Sequence, residues 1–207
     1  MIRNPKDLQR YTASERTNHW VLGICFVLLA LSGLAFFHPA FYPLTQLFGG
    51  AVWTRILHPF AGVLMALSFV VMFLRFAALN KMTDVDREWL GRAGELVDGN
   101  DHNMPEQGKY NGGQKVMFWV IATCMLLLLL SGILLWRAYF SFPIDLVRLG
   151  AVAHAAAAAV MIGMMIVHIY AAIWVRGTIR AMVYGTVTRA WAKQHHRAWY
   201  RQVTGKS

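Results

Sequence analysis

Charged residues are scarce in this chain, and four long stretches contain none. Of its 207 residues only 14% are Asp, Glu, Lys or Arg, while 57% are hydrophobic. An ordinary soluble domain has about 25% charged residues. The uncharged stretches are 17–54, 56–74, 116–136 and 149–175. Because roughly 20 apolar residues cross a bilayer core, this pattern excludes an ordinary soluble protein and predicts four transmembrane helices.

Carboxylates are missing from all four stretches, and cysteine is nearly absent from the chain. Cys25 and Cys124 each fall within a predicted span, where we expect small apolar filler. No Cys-x-x-Cys-His motif is present, which excludes covalently bound c-type haem. Proton relays in membranes usually recruit Asp or Glu, so the missing carboxylates also argue against a proton relay.

The first stretch is nearly twice the length of a span and contains helix-breaking residues, which favour one span followed by an interfacial loop. The breakers are His38, Pro39, Pro43, Gly49 and Gly50. We therefore predict a single all-α membrane domain over residues 1–207, folded as a four-transmembrane-helix bundle. Its spans are about 17–37, 53–76, 115–137 and 148–176, with a loop at 77–114 and an amphipathic tail at 177–207. A cleaved signal peptide is the alternative for the first span, but the apolar run is long for one and carries a histidine.

The basic residues follow the predicted topology. The net charge of +10 would suggest nucleic acid on a soluble protein. Here 17 of the 20 Lys and Arg residues lie in the amino-terminal tail, around the central loop and in the carboxyl tail. By the positive-inside rule both termini and the central loop are cytoplasmic. Membrane lipid is therefore the expected partner of this charge, and nucleic acid is not.

Local signals refine this outline. Thr12 and Glu15 have the spacing of a capping box, which predicts a helix start before the first span. The tail has the periodicity of an amphipathic basic helix, which favours a helix at the membrane surface. Its apolar side is formed by Ile179, Met182, Val183, Val187 and Trp191. Trp89 and Leu90 are expected along the membrane surface, and no internal repeat is recognised.

The eight histidines fall into two groups. His19, His58, His154 and His168 lie within apolar spans, where an ionisable side chain indicates function. The other four lie in polar segments or the outer loop and are expected to be solvated or interfacial. They are His38, His102, His195 and His196.

The predicted directions of the helices place the four intramembrane histidines at two levels. His154 and His168 are 14 residues apart, about 21 Å of helical rise, on nearly one face. Since the first span runs outward and the second and fourth run inward, His58 and His154 form an outer pair and His19 and His168 an inner pair. Two imidazoles from different helices at each level predict two b-type haems, each with two axial histidines.

Other metals fit this pattern less well. The 21 Å separation forbids one zinc or copper site but permits two. Two-histidine sites without cysteine or carboxylate suit haem better. Met161 and Met165 lie between the two levels and are expected in the core rather than on iron.

Several segments together resemble the gamma subunit of respiratory formate dehydrogenase, a membrane cytochrome b family. The matching segments are 10–12 through 15–16 to 19–20, then 58–63, 72–75, 110–111 with 113–115, 131–132, 136–137, 168–172 through 177–178, 190–193 and 195–196. Residues 77–108 depart most from that family.

The resemblance implies the rest of a respiratory complex in the bacterial inner membrane. A molybdenum- or tungsten-pterin alpha subunit would oxidise formate, and an iron–sulfur beta subunit would pass electrons to the outer haem. This chain would carry them to the inner haem and to a quinone. The resemblance is also compatible with a higher oligomer of the complex. The family's haem ligands match His19, His58, His154 and His168.

The family's quinone pocket matches Asn111, Gly113 and Gln114. Asn111 and Gln114 supply the hydrogen-bond donors that a quinone carbonyl needs. An ordinary turn and helix cap is the alternative for this segment. Gly112 stands where the family usually has a bulkier aromatic residue, which leaves the shape of the pocket open.

Two other functions are compatible with the sequence. The same dihaem module would serve another dehydrogenase, such as a nickel–iron hydrogenase, because haem ligands do not encode the electron donor. A non-redox membrane anchor is the other alternative, and a reduced-minus-oxidised spectrum without a b-type α-band would favour it.

Overall fold

The structure is a computed structural model that describes residues 6–97 and 104–205. His102, one of the histidines predicted to be solvated, lies outside the described residues. In chain order the elements are β1 (Leu8–Gln9), α1 (Ala13–Phe37), a 3-10 helix (Pro39–Phe48), α2 (Ala51–Phe76), a second 3-10 helix (Ala77–Asn80), α3 (Asp84–Gly91), α4 (Ala93–Val97), α5 (Gly112–Leu135), α6 (Ile144–Trp174), α7 (Thr178–Tyr184), β2 (Thr186–Val187), α8 (Arg189–His195) and α9 (Arg197–Thr204).

Four helices, α1, α2, α5 and α6, are long and apolar enough to cross a membrane. Most of their apolar side chains are exposed on the protein surface, among them Leu67 at 64% and Val152 at 69%. Such a surface is costly in water and suits the hydrocarbon of a bilayer. The prediction of an all-α membrane protein with four spanning helices is confirmed.

The start of α1 is fixed by the predicted capping box. The backbone N–H of Thr12 donates to Glu15 Oε2 at 2.7 Å, and the N–H of Glu15 lies 3.3 Å from Thr12 Oγ1. Two backbone donors that the helix cannot satisfy itself are thereby paired. The helix begins at Ala13, directly after the cap.

Residues Thr17–Leu74 and Ile121–Val167 form one compact unit, called here the first unit. It contains the apolar middle parts of the four long helices. Most of its buried apolar side chains are small or contain sulfur; they include Leu22, Cys25, Ala35, Met65, Cys124, Met125, Ala157 and Met161. Both cysteines are free thiols, and Met161 packs in this core at 2% exposure.

The described parts of 1–16, 75–120 and 168–207 form the second unit. Its strands pair antiparallel, with Leu8 opposite Val187. Its buried cluster consists of Ala181, Val187, Trp191, Ala192 and Trp199, with Leu8, Tyr11, Val175 and Tyr200 packed around it. The amino-terminal segment and the carboxyl tail therefore share one small core.

The carboxyl tail differs from the predicted continuous amphipathic helix. Gly185 adopts a left-handed conformation with φ of 80° and ends α7. The chain then enters β2 before α8 and α9. Val187 and Trp191, predicted on a lipid-facing side, are 1% and 9% exposed in the core. Exposed apolar residues remain on α7, such as Ile179 at 48%, and on α9, where Val203 is 47% exposed.

A buried arginine holds this second unit together. Arg10 is 5% exposed, and its guanidinium carbon lies 5.0 Å from the ring centroids of both Trp191 and Trp199. Its Nη2 donates to the Lys109 carbonyl oxygen at 2.5 Å and lies 3.1 Å from Nε2 of His196. We call these five residues the Arg10 clasp.

His196 is buried in the Arg10 clasp, so the prediction that it is solvated is wrong. It is 2% exposed, and its Nδ1 lies 2.7 Å from the Gly108 carbonyl oxygen. Since a carbonyl only accepts, Nδ1 carries the proton and Nε2 accepts from Arg10. Burial, and then the charge of Arg10, lowers the pKa of His196 to about 3.

Candidate functional site

Two of the intramembrane histidines meet in the first unit. His58 lies on α2 and His154 on α6. The centroids of their imidazole rings are 6.3 Å apart, and the ring planes are inclined at 62°. The structure therefore brings together the pair that the predicted helix directions place at the outer level.

Each of these two rings contacts a serine on the preceding long helix. Nδ1 of His58 lies 2.7 Å from Oγ of Ser32 on α1. Nδ1 of His154 lies 2.9 Å from Oγ of Ser131 on α5. Both serines are buried, at 2% and 4% exposure. The Nε2 edge of each ring is thereby left for another partner.

A glycine follows each serine and lies beside the ring. A Cβ atom added at Gly33 would lie 3.4 Å from Cε1 of His58, and one at Gly132 would lie 3.6 Å from Cε1 of His154. Both imidazoles thus face a Ser-Gly pair in the same way. In the sequence alone these serines show no sign of a role, although Leu-Ser-Gly occurs at 31–33 and again at 130–132.

The separation of the two rings fits two axial ligands of one iron. A histidine nitrogen lies about 2 Å from a bound metal and roughly 1 Å from its ring centroid, so two imidazoles on opposite sides have centroids about 6 Å apart. The observed 6.3 Å agrees with that value. Among the described residues no group of three or more His, Cys, Asp or Glu could hold a metal ion.

The other two intramembrane histidines are described one at a time. His19 lies on α1 in the first unit, and His168 lies on α6 in the second unit. Both are partly buried. Their pairing as an inner site stays a prediction.

The predicted quinone residues form a helix cap at the start of α5. The N–H of Gln114 donates to Asn111 Oδ1 at 2.9 Å, and the N–H of Asn111 donates to Gln114 Oε1 at 3.1 Å. The alternative prediction of a helix cap is therefore correct, but the cap uses only the side-chain oxygens of Asn111 and Gln114. Within 6–97 and 104–205 neither amide NH₂ group has a hydrogen-bond partner, and both residues are partly exposed.

Trp89 covers the glycines next to this cap. A Cβ at Gly112 would lie 3.1 Å from Trp89 Cε3 and only 2.7 Å from the backbone oxygen of Asp86. A Cβ at Gly113 would lie 3.1 Å from the same indole ring. Trp89 therefore packs on the glycine pair, and the space that a bulkier residue 112 would need is already filled by α3.

A buried ion pair fixes α3 against α5. Nζ of Lys115 lies 2.7 Å from Oδ2 of Asp86, and the two side chains are 11% and 2% exposed. Burial opposes ionisation of Asp86, but hydrogen bonds from Lys115 and Thr83 hold the pKa of its carboxyl below the usual value. This pair keeps Trp89 in place beside the cap.

The remaining described histidines lie outside these sites. His38 is exposed and caps the first 3-10 helix, with the Ala40 N–H 3.2 Å from its Nδ1. His195 is partly exposed, and its ring centroid lies 5.3 Å from that of Trp191.

Comparison with known proteins gives a consistent result. A family model described as prokaryotic cytochrome b561 matches residues 10–185. The cytochrome b556(Fdn) subunit of the nitrate-inducible formate dehydrogenase of Escherichia coli (strain K12) is 44% identical over 191 residues, 91% of this chain and 88% of that protein. The cytochrome b556(fdo) subunit of formate dehydrogenase from the same strain is 46% identical over 196 residues, 94% and 92% of the two chains. The formate dehydrogenase cytochrome b556 subunit of Haemophilus influenzae is 40% identical over 203 residues, 97% and 85%.

The family match covers most of the chain and reaches all four spanning helices. Haem b is thus the cofactor that the match implies, and the His58–His154 pair fits it. A prokaryotic cytochrome b with four apolar helices is a multi-pass protein of the bacterial inner membrane.

Proposed function

The chain belongs to the prokaryotic cytochrome b561 family, and from that premise we propose that it is the dihaem membrane subunit of a formate dehydrogenase. It carries electrons from a periplasmic iron–sulfur subunit to a quinone near the cytoplasmic face. The three relatives named above support this, because each is a formate dehydrogenase cytochrome b556 subunit. Formate oxidation itself takes place on a molybdenum- or tungsten-pterin partner subunit.

The observation that carries the proposal is the meeting of His58 and His154. Two imidazoles 6.3 Å apart between α2 and α6 would hold the outer haem through their Nε2 atoms. The haem supplies a one-electron carrier inside a layer of low dielectric constant. The protein contributes axial ligands whose other ring nitrogens are already engaged.

A second haem is proposed on His19 and His168. His154 and His168 share α6 and are separated by about 21 Å of helical rise. One helix therefore serves two levels, and the two haems together bridge most of a hydrocarbon core of about 30 Å.

The topology follows from the basic residues. The amino-terminal tail, the central loop and the carboxyl tail carry 17 of the 20 Lys and Arg residues, so we place both termini and the central loop in the cytoplasm. The outer haem then faces the periplasm. Electrons that cross inward and protons taken up from the cytoplasm by the quinone together generate membrane potential without a proton channel.

The quinone is proposed to bind at the cap of α5. Because the cap uses the oxygens of Asn111 and Gln114, both amide groups keep N–H donors for a quinone carbonyl. Trp89 on Gly112 and Gly113 gives the site one aromatic wall. Gly113 permits this close approach because it has no side chain.

Haem content tests the first part of the proposal. The purified complex is expected to contain two haem b per copy of this chain and to show a b-type α-band in a reduced-minus-oxidised spectrum. His58→Ala and His154→Ala should each lose the outer haem and keep the inner one. His38→Ala, a change at an exposed histidine, is the control and should keep both. Two haems retained in His58→Ala would refute the assignment.

The quinone site has a more selective test. Asn111→Asp and Gln114→Glu keep the oxygens that cap α5 but replace the N–H donors. With a lost hydrogen bond worth about 1 kcal/mol or more, the KM for quinone should rise at least about fivefold while haem content stays unchanged. An unaltered KM in both variants would leave this segment as a helix cap alone.

A further inference from the structure

The two serines beside His58 and His154 have an unusual hydrogen-bond environment. Oγ of Ser32 lies 2.6 Å from the Leu28 carbonyl oxygen and 2.7 Å from Nδ1 of His58. Oγ of Ser131 lies 2.6 Å from the Leu127 carbonyl oxygen and 2.9 Å from Nδ1 of His154. A second carbonyl lies farther away in each case, Leu29 at 3.3 Å and Leu128 at 3.4 Å, so each hydroxyl lies between backbone acceptors and one imidazole.

The number of hydrogens decides the direction of these bonds. A serine hydroxyl has one hydrogen, and two oxygens 2.6 Å apart require a hydrogen between them. That hydrogen is the hydroxyl's own, because the carbonyl has none. The contact between Oγ and Nδ1 must then take its hydrogen from the ring. Both imidazoles are consequently in the Nδ1–H tautomer, and both Nε2 atoms have a free lone pair.

The surroundings make this arrangement rigid. Both hydroxyls are almost completely buried in the first unit, so water cannot replace either contact. A Cβ at Gly33 or Gly132 would come within 3.4 or 3.6 Å of Cε1 of the adjacent ring, so each imidazole lies close to the helix that carries its serine. The same four features occur on both sides of the candidate haem.

We propose that Ser32 and Ser131 are positioning residues for the outer haem, fixing the tautomer and orientation of its axial ligands and lowering its reduction potential. The inference rests on the proposed assignment of His58 and His154 as ligands. An N–H that donates to an oxygen makes the imidazole a more basic ligand. A more basic ligand stabilises ferric over ferrous iron, which gives the direction of the potential.

Helix packing is the other role that two buried serines could have, since hydroxyls often hydrogen-bond between membrane helices. A packing role predicts a change in stability but no change at the iron. The decisive measurements are therefore spectroscopic and electrochemical rather than enzymatic.

The experiment compares Ser32→Ala and Ser131→Ala with Ser32→Thr and Ser131→Thr in the purified complex. Each Ala variant removes the acceptor, and each Thr variant keeps a hydroxyl that can bond the same carbonyl. Ser68→Ala on α2 is the control, because this serine lies on the helix of His58 but its side chain has no contact with that ring among the described residues. Haem per chain, the redox midpoint and the electron paramagnetic resonance of the ferric haems are measured.

The Ala variants should raise the midpoint of the outer haem and change its ferric g-values, while the inner haem and the Ser68→Ala control stay as in the wild type. A tenfold change in the ferric-to-ferrous preference corresponds to about 59 mV for one electron, and we expect a shift of up to that size. The Thr variants should restore the wild-type values. Unchanged potentials and g-values in both Ala variants would overturn the inference.

The His58→Ala variant distinguishes a failure of the positioning role from a failure of the ligand assignment. If it loses the outer haem while the serine variants behave as wild type, the ligand assignment stands and the positioning role is wrong. If it keeps both haems, the ligand assignment itself fails and the positioning role fails with it.

Discussion

The buried histidine of the Arg10 clasp predicts a pH-dependent opening of the carboxyl tail. In the closed tail, in which the Arg10 clasp is intact, His196 donates to the Gly108 carbonyl and accepts from Arg10. Protonation of Nε2 would break the contact with Arg10 and place two positive charges together. In an opened tail, in which the Arg10 clasp is broken, the same ring is in water and takes up a proton at the ordinary pKa of a histidine. Acid should therefore favour the open form.

The size of the effect follows from the two pKa values. The pKa of His196 is about 3 in the closed tail, because of burial and the charge of Arg10, and about 6.5 in an opened tail. A lowered pKa gives a stability that is fully present above about pH 6.5 and is lost progressively as the pH falls toward 3. At about 1.4 kcal/mol per pH unit, the closed tail should lose about 2 kcal/mol between pH 7 and pH 5.

Hydrogen exchange measures this opening directly. Protection factors of the amides in α8 and α9, corrected for the intrinsic pH dependence, should fall about thirtyfold from pH 7 to pH 5 for a 2 kcal/mol loss. The matched control is His196→Gln, since a glutamine amide can donate to Gly108 and accept from Arg10 but does not titrate in this range. Its protection factors should be nearly independent of pH.

His195 and Lys109 remain in both proteins, so any titration of theirs appears equally in the control. If the wild type and His196→Gln lose protection to the same extent, the histidine is not the group responsible. The reasoning would also fail if the wild-type protection factors did not change between pH 7 and pH 5.

Two further predictions concern the contact of α3 with α5. Asp86→Asn leaves the ammonium group of Lys115 buried without its counterion and should cost about 3 kcal/mol in stability; thermal unfolding followed by tryptophan fluorescence checks this, with the exposed Asp84→Asn as control. Gly112→Ala places a Cβ 2.7 Å from a backbone oxygen, so α3 must move and stability should fall by about 1–3 kcal/mol. Gly108→Ala, where a Cβ meets nothing within 4 Å, should change stability little, and equal effects of the two glycine variants would contradict the clash.

The helices and the outer histidine pair could be predicted because the bilayer imposes strong rules on sequence. A span needs about 20 apolar residues, which sets the number and limits of the helices. Alternating span directions then place His58 and His154 at one level, and the structure brings those two rings together. The same rule pairs His19 with His168, but these two lie in different units that are described separately, so the inner pair stays a prediction.

The carboxyl tail could not be predicted because its apolar residues have two possible partners. The spacing of Val187 and Trp191 suits an amphipathic helix on lipid, but a left-handed glycine at 185 ends that helix. The two side chains then pack on Leu8 and Tyr11 at the other end of the chain. The burial of His196 could not be predicted either, since a histidine in a basic segment gives no local sign that it will be buried on Arg10.

The serines were missed for a different reason. A serine in an apolar helix bonds its own backbone and is unremarkable in sequence, as Ser32 does with Leu28. Its contact with His58 depends on how two helices face each other. Only the coincidence with the Ser131–His154 contact makes the pattern visible.

That coincidence also divides the chain into two similar helical hairpins. The serines are 99 residues apart and the outer histidines 96 apart, so α1–α2 and α5–α6 each carry the Ser-Gly pair and the outer histidine in the same order. The inner histidines have no such counterparts, since Phe118 and Met72 stand at the equivalent positions. Two copies of either hairpin alone would provide every group of the proposed outer site, whereas the proposed inner pair would draw on both unlike halves. The outer site is thus modular, and a synthetic homodimer of the first hairpin is the smallest assembly in which it could be rebuilt.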